Sequence, residues 1–354
     1  MISSDNPIGL KSVDSLQFCC DNLQTPTATH FKRLGFTKIS ENTSEHQELY
    51  NQGQINFLLD ANHDVNSQSR KYFEAHAEGV CKVSFKVDSV EASLEAALKR
   101  GAELKEDLQT IETESGMIKK ASIQGFGDVL NEFIERPHNT FGEKFTTCED
   151  QTATPLATRV SRIDHFTNNV PKGQMDHWVD FYKRIYGFAE TRYFDIKGKE
   201  TGLFSKVVQL KDNSIIIPIN EPEIDNGKSQ IQEYLDRHNG AGVQHIALMT
   251  PDIISTVGEL IERDFKFLDV PNTYYEDIPK RNFNVTEDIE ELRKRSILVD
   301  GDPDGYLLQI FTDTYIGPLF FEFIQRKKHW GFGEGNFQAL FDSIERDQRQ
   351  RGYL

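Results

Sequence analysis

The chain repeats one arrangement of apolar and polar positions four times: an apolar strand, an amphipathic helix and three further apolar strands. The second and fourth copies align directly, because residues 79–85 and 242–248 each begin with Gly-Val and lead into a helix. The two helices carry apolar residues at matching steps, namely Val90, Leu94, Ala97 and Leu98 in one and Ile253, Val257, Leu260 and Ile261 in the other. Steps of three and four residues predict helices with one buried face, and Ser89 and Asp252 are suited to cap their N-termini.

The first and third copies show the same order of elements. Residues 31–36 and 182–188 both read as the end of a helix, and Gly187 is suited to close the second of them. The apolar runs 55–59 and 215–219 are typical of buried strands. Repetition of one unit predicts architecture. We therefore expect an α+β fold of tandem βαβββ modules that pair into two half-open barrels, each with a concave face for a small ligand.

A polar stretch, residues 148–155, separates the second copy from the third and reads as a linker. A chain of 354 residues is long enough for two domains with a core each. The predicted domains are residues 1–150 and residues 156–354, each containing two modules.

Composition narrows the class of protein. The net charge of −16 argues against binding to nucleic acid or to a membrane surface. The N-terminal residues lack the features of a secretory signal, and no apolar run is long enough to cross a bilayer. The four cysteines show no zinc-ligand spacing and read as reduced thiols of a cytoplasmic protein: Cys19, Cys20, Cys81 and Cys148.

The N-terminal and C-terminal halves differ at two of three corresponding points. The C-terminal half has His165, His245 and Glu322 where the N-terminal half has Ser15, Lys82 and Glu132. Two imidazoles and a carboxylate on one face of a metal leave up to three positions open, as in the facial triad of non-haem Fe(II) oxygenases. Glu322 lies in an aromatic strand, where a buried carboxylate needs a cation. The pattern predicts a metal site in the C-terminal half only.

Other interpretations of these residues stay open at this point. Each histidine could be an ordinary core residue, and the glutamate could pair with an arginine. Aligning the turns at Gly127 and Gly305 would pair Asn131 with Gln309 and not Glu132 with Glu322. The remaining histidines fall in helices or polar loops and are expected at the surface: His30, His46, His63, His76, His138, His177, His238 and His329.

Three stretches carry a resemblance to a known family: residues 240–247, 321–326 and the glycine-rich segment 331–337. On these motifs the sequence resembles the 4-hydroxyphenylpyruvate dioxygenases of the vicinal-oxygen-chelate superfamily, over essentially the whole chain. The resemblance implies that His165, His245 and Glu322 bind one Fe(II) per subunit. It also implies that the N-terminal domain has a structural role.

The resemblance further implies a substrate pocket. Its expected substrate-binding residues are Ser205, Asn220 and Gln230, which would orient a phenol, together with Phe311 and Phe320. Its expected catalytic residues are Gln244 and Gln309 near the metal, and Phe332 and Phe337 against the ring. After them, Leu340, Phe341 and Ile344 continue one apolar face of a helix that would close the mouth of the pocket.

The implied reaction converts 4-hydroxyphenylpyruvate and O2 to homogentisate and CO2 by oxidative decarboxylation, ring hydroxylation and side-chain migration, a step of tyrosine catabolism. The implied assembly is a homo-oligomer, a dimer or a tetramer. A 4-hydroxymandelate synthase would share the fold, the metal and the substrate. An extradiol dioxygenase would need a further pocket histidine as a base, and none is evident. A metal-free protein that binds small molecules would not need the triad.

Overall fold

The computed structural model describes a large part of the chain, namely residues 5–114, 116–137, 140–142, 144–148, 158–197, 201–223, 229–281, 283–337, 345, 348–349 and 351–352. The predicted linker, apart from Cys148, lies outside these residues, as do Leu340, Phe341 and Ile344 of the predicted closing helix. Among the described residues, no helix is long and apolar enough to span a membrane.

The N-terminal half contains two modules of one strand, one helix and three strands. The first consists of β1 (Leu10–Cys19), α1 (Pro26–Arg33), β2 (Thr37–Asn42), β3 (Gln47–Gln52) and β4 (Ile55–Asp60). Helix α2 (Gln68–His76) leads to the second, which consists of β5 (Gly79–Val87), α3 (Val90–Lys99), β6 (Leu104–Thr113), β7 (Gly116–Gln124) and β8 (Leu130–Glu135). A short strand, β9 (Thr146–Thr147), pairs with β2.

The C-terminal half repeats this order with one enlarged connection. Its first module consists of β10 (Arg162–Asn169), α4 (Met175–Tyr186), β11 (Ala189–Lys197), β12 (Gly202–Gln209) and β13 (Ile216–Glu223), followed by α5 (Gln230–His238). Its second consists of β14 (Gly242–Met249), α6 (Ile253–Glu262), α7 (Asn272–Asp277), α8 (Ile289–Lys294), β15 (Leu298–Asp302), β16 (Gly305–Ile316) and β17 (Leu319–Lys327). The predicted βαβββ modules are confirmed, with two additional helices in the last one.

The strands form one curled sheet in each half. The strand order is β6-β7-β8-β5-β1-β4-β3-β2-β9 in the first and β11-β12-β13-β10-β14-β17-β16-β15 in the second. Within each module the first strand pairs in parallel with the last, and the two modules of a sheet meet where their first strands pair antiparallel. Each sheet therefore carries its two first strands at the centre.

Local sequence explains the helix ends. The side chains of Ser89 and Asp252 accept hydrogen bonds from the backbone N–H groups of Ala92 and Ser255, so both predicted N-caps are confirmed. Gly187 follows α4 with a φ of 73°, a left-handed conformation that favours glycine at a helix C-terminus.

The two sheets also share one register. Ser15 pairs with Ser84 between β1 and β5, as His165 pairs with Ala247 between β10 and β14. Ser84 in turn lies opposite Glu132, as Ala247 lies opposite Glu322. Glu132 and Glu322 are therefore equivalent, and the alternative alignment through the turns is wrong.

Two of the histidines that the sequence places at the surface are buried between the halves. The rings of His76 and His238 stack with centroids 4.6 Å apart and are 7% and 1% exposed. His238 Nε2 lies 2.9 Å from the Tyr72 hydroxyl, and its Nδ1 lies 3.1 Å from the Gly240 carbonyl oxygen. Tyr72 and His76 come from the other half of the chain, which explains why the sequence of the helix around His238 did not reveal this burial.

We expect this histidine pair to make the fold sensitive to acid. Burial, and then the charge of His76, lowers the pKa of His238 to about 4, whereas an unfolded histidine titrates near about 6.5. Between these two pKa values the unfolded chain binds more protons than the folded chain. The contribution of His238 to the free energy of unfolding is therefore fully present above pH 6.5, and about 3 kcal/mol of it is lost as the pH falls towards 4. Urea unfolding of wild type and His238→Gln measures this. The difference in free energy of unfolding between them should change by about 2 kcal/mol from pH 7 to pH 5; a constant difference would contradict the assignment.

Candidate metal centre

Three neighbouring central strands bring the predicted ligands together. His165 lies on β10, His245 on β14 and Glu322 on β17, and their ligand atoms form one cluster. His165 Nε2 is 3.3 Å and His245 Nε2 is 3.5 Å from Glu322 Oε2. Atoms bound to one metal at about 2.1 Å, with angles of about 90–115°, lie about 3.0–3.5 Å apart. The spacing therefore fits a single metal ion.

The Nδ1 atom of each imidazole, which points away from Glu322, lies near a hydrogen-bond acceptor. His165 Nδ1 lies 2.9 Å from Asp164 Oδ2, and His245 Nδ1 lies 3.1 Å from Gln244 Oε1. A proton on Nδ1 that is donated to these oxygens leaves the lone pair of Nε2 directed at Glu322, which is the tautomer a metal ligand needs. Thr167 Oγ1 lies 3.0 Å from His245 Nε2. The histidines are thus held in the orientation of ligands.

The pKa values of the two histidines are shifted in opposite directions. Burial alone lowers the pKa of His165, but the charges and hydrogen bonds of Glu322 and Asp164 outweigh it and raise the pKa to about 9. Burial, and then the charge of His165, lowers the pKa of His245 well below its ordinary value. The carboxylates around His165 therefore favour a positive charge at this centre, which a bound cation would supply.

A buried ion pair supports His165 from behind. Arg326 binds both carboxylate oxygens of Asp164, at 2.8 and 2.7 Å. Burial raises the pKa of Asp164, but the hydrogen bonds of Arg326 and His165 outweigh it and hold the pKa well below its ordinary value. Arg326 Nη1 also donates to the carbonyl oxygens of His329 and Gly331, at 3.1 and 2.7 Å. One guanidinium therefore joins a candidate ligand to the glycine-rich segment.

The predicted pocket residues surround this centre, with one exception. One cavity is lined by the three candidate ligands together with Ser205, Asn220, Gln230, Gln244, Phe311, Phe320, Phe332 and Phe337. Gln309 is buried but is not part of this lining, and a Cβ atom on Gly333 would come within 2.6 Å of its amide group. Gln309 thus lies against the glycine-rich segment at Gly333, whose left-handed φ of 78° favours glycine.

The cavity has an aromatic side and a polar side. The Phe320 ring stacks on His245 at 4.9 Å between centroids, and the Phe332 ring meets His165 edge-on at 5.6 Å. On the polar side, Ser205 and Asn220 lie opposite each other on β12 and β13, and Asn220 Nδ2 is 3.5 Å from Gln244 Oε1. The site can hold a flat ring between apolar walls and a hydrogen-bonding group at its polar end.

The comparison with known proteins covers both halves. Residues 4–147 match the family model "Hydroxyphenylpyruvate dioxygenase, HPPD, N-terminal", and residues 162–310 match "Glyoxalase/Bleomycin resistance protein/Dioxygenase superfamily". The 4-hydroxyphenylpyruvate dioxygenase of Pseudomonas aeruginosa is 39% identical over 100% of this chain and 98% of its own length. This chain belongs to the 4-hydroxyphenylpyruvate dioxygenase family. It is an enzyme of that family, as the resemblance in the sequence predicts.

Other relatives of this dioxygenase family member carry different names. Hemolysin VllY of Vibrio vulnificus is 41% identical over 100% of this chain and 99% of its own length. Protein MelA of Shewanella colwelliana is 39% identical over the full length of both chains. Among solved structures, a mutant of 4-hydroxymandelate synthase from Streptomyces coelicolor matches with a TM-score of 0.84 at 23% identity, over 96% of this chain and 99% of that chain. That structure shares the fold.

Sequence reasoning missed several residues of the site. Phe194 lines the cavity and meets Phe337 edge-on at 5.0 Å between centroids, yet it lies on the largely exposed strand β11. The pair of Asp164 and Arg326 had a detectable signal, since the N-terminal half has Asp14 and Arg136 at the same points. Those two residues form the corresponding ion pair at 3.0 Å. Both copies of the fold therefore use this pair.

The cavity is small for a binding site. It encloses about 80 Å³, whereas ligand pockets commonly measure about 300–1,000 Å³. Phe332 and Phe337 of the glycine-rich segment form part of its wall. These two rings therefore lie where they can contact a ligand in the cavity.

Proposed function

We propose that the chain is an Fe(II)-dependent dioxygenase that converts 4-hydroxyphenylpyruvate and O2 to homogentisate and CO2, with one Fe(II) per chain. The observation that carries the proposal is the convergence of His165, His245 and Glu322 inside a pocket with an aromatic and a polar side. Full-length identity to the dioxygenase of Pseudomonas aeruginosa supports the substrate. Two nitrogens and one oxygen are the donor set of non-haem Fe(II) oxygenases.

The metal would be held by His165, His245 and Glu322. When bound, Fe(II) supplies open positions for a 2-oxo acid and for O2, and with them the oxidative chemistry. The protein fixes the ligand orientation through Asp164 and Gln244, whose oxygens accept the Nδ1 protons of the two histidines.

The pocket would orient the substrate by its two ends. Ser205, Asn220 and Gln230 would offer a hydroxyl group and two amide groups to the phenol. Phe332 and Phe337 would hold the aromatic ring by edge and face contacts. Because both rings cover part of the cavity, they would also keep water away from the bound substrate.

The proposal also covers the pathway, the cellular compartment, the assembly and the roles of the two domains. We place the enzyme in tyrosine catabolism and in the cytoplasm as a homo-oligomer, a dimer or a tetramer. Residues 1–150 would form a structural domain and residues 156–354 the catalytic one. The four cysteines are free thiols, three of them buried, which suits a reducing compartment.

The product of a single experiment tests the substrate and the reaction together. Protein loaded with Fe(II) is mixed with 4-hydroxyphenylpyruvate without oxygen, air is admitted, and the products are separated by chromatography. We expect homogentisate and an equal amount of CO2, and no product from the same protein treated with a chelator. 4-Hydroxymandelate would instead assign the synthase reaction, and bound iron without any product would refute the proposed substrate.

A further inference from the structure

The N-terminal sheet encloses a counterpart of the metal pocket. Its cavity measures about 500 Å³, and Ser15, Lys82 and Glu132 line it at the positions of the three candidate metal ligands. The shared register extends to the polar side. Gln47 lies opposite Asp60 on β3 and β4, as Ser205 lies opposite Asn220 on β12 and β13. The duplicated fold therefore preserved a cavity, although its ligand set changed.

Lys82 supplies a cation inside this second cavity. Its ammonium nitrogen is 2.7 Å from Glu106 Oε2 and 3.6 Å from Glu132 Oε2. The side chains of Lys82 and Glu132 are 9% and 8% exposed. Burial lowers the pKa of Lys82, but the charges of Glu132 and Glu106 outweigh it and raise the pKa above its ordinary value. The ammonium group therefore remains charged and is shared between Glu106 and Glu132, of which Glu132 is the more deeply buried.

The surroundings of the two equivalent glutamates differ in one further way. Ser84 donates its hydroxyl to Glu132 Oε1 at 2.7 Å, whereas the equivalent of Ser84 beside Glu322 is Ala247. Within the part of the chain that the structure describes, the polar contacts of the Glu322 carboxylate are with the two imidazoles. The protein thus completes the environment of Glu132 with its own side chains and leaves that of Glu322 to be completed by a cation.

We propose that the ammonium group of Lys82 takes, in the N-terminal half, the electrostatic place that a metal ion takes beside Glu322. This half is then a latent metal site, closed by one lysine, which histidines at positions 15 and 82 would open to a divalent transition-metal ion. The second statement rests on the proposed function, because it takes His165, His245 and Glu322 as metal ligands. The first statement does not depend on iron.

A double-mutant cycle tests the role of Lys82 in the full-length protein. Lys82→Met leaves Glu132 buried without a cation, and we expect it to lower the ratio of folded to unfolded protein roughly 100-fold or more. Adding Glu132→Gln should recover at least roughly tenfold of that loss, because the uncompensated charge is removed. Urea unfolding with and without Fe(II) measures both effects, which should be the same in either case. Additive effects of the two substitutions would overturn the proposal.

Metal analysis tests the latent site separately from the catalytic one. Each protein is dialysed against Co(II), its metal content is measured, and its visible absorption spectrum is recorded. We expect one Co(II) per chain in wild type and none in His245→Ala. One Co(II) should return when Ser15→His and Lys82→His are added to His245→Ala. A folded triple variant without metal would overturn the latent site, whereas metal retained by His245→Ala would overturn the proposed ligand set instead. If the triple variant does not fold, the double-mutant cycle decides.

Discussion

Replacing His245 by alanine should remove the metal and the activity of this enzyme together. The substitution deletes one of only two imidazole nitrogens within reach of Glu322 Oε2 in the described structure, the one at 3.5 Å. A bound metal contributes several kcal/mol to such reactions, so we expect turnover to fall by at least about a thousandfold. Metal content after dialysis and homogentisate formation, measured on the same sample, test the prediction.

The appropriate control is a histidine that has no access to the pocket. His177 lies exposed on α4, and His177→Ala should keep both the metal and the activity. Circular dichroism of the two variants establishes that both are folded. If His245→Ala retained one metal per chain and full turnover, His245 could not be a ligand, and the proposed ligand set would have to be abandoned.

The duplication explains why the cluster of His165, His245 and Glu322 could be predicted from sequence. His165 and His245 stand at positions where the equivalent residues, Ser15 and Lys82, cannot form the same site. A comparison of two copies of one fold therefore separates the residues that hold the fold from those that were changed for a function. The sequence comparison alone could not decide whether Glu322 corresponds to Glu132, because two alignments of the late strands were possible. The register of the strands decided it.

Features that depend on long-range packing escaped the sequence. The glycine-rich segment, which follows β17, lies over the amide of Gln309. The pattern of residues within β16 gives no sign that this amide is covered. His76 and His238 are buried by each other, across two helices from different halves. Arg326 resembles an ordinary charged residue near the end of a strand, and only the comparison with Arg136 in the N-terminal half indicates its role. Such positions are decided by which surfaces meet, and a local pattern carries no information about that.

The buried arginine of each half provides the second large expected effect. Arg326 and Asp164 are 5% and 1% exposed, and Arg136 and Asp14 are both 5% exposed. Because removing one partner of such a pair leaves a buried charge unpaired, we expect Arg326→Met and Arg136→Met each to lower the free energy of unfolding by about 3–5 kcal/mol. Chemical denaturation of the metal-free proteins measures this loss, which should be similar in the two variants.

The two variants should differ in metal affinity, and this difference separates support of the ligand from support of the fold. Arg326 fixes Asp164, which accepts the Nδ1 proton of His165, so Arg326→Met should weaken metal binding by about 10–100-fold. Arg136 serves a half without the histidines, and Arg136→Met should leave the affinity of folded protein unchanged. Titration with Co(II), without denaturant and at a temperature well below that of unfolding, compares the metal affinities of the two variants. Equal affinities would show that the pair of Asp164 and Arg326 acts on stability alone, because removing a residue that positions a ligand must weaken metal binding.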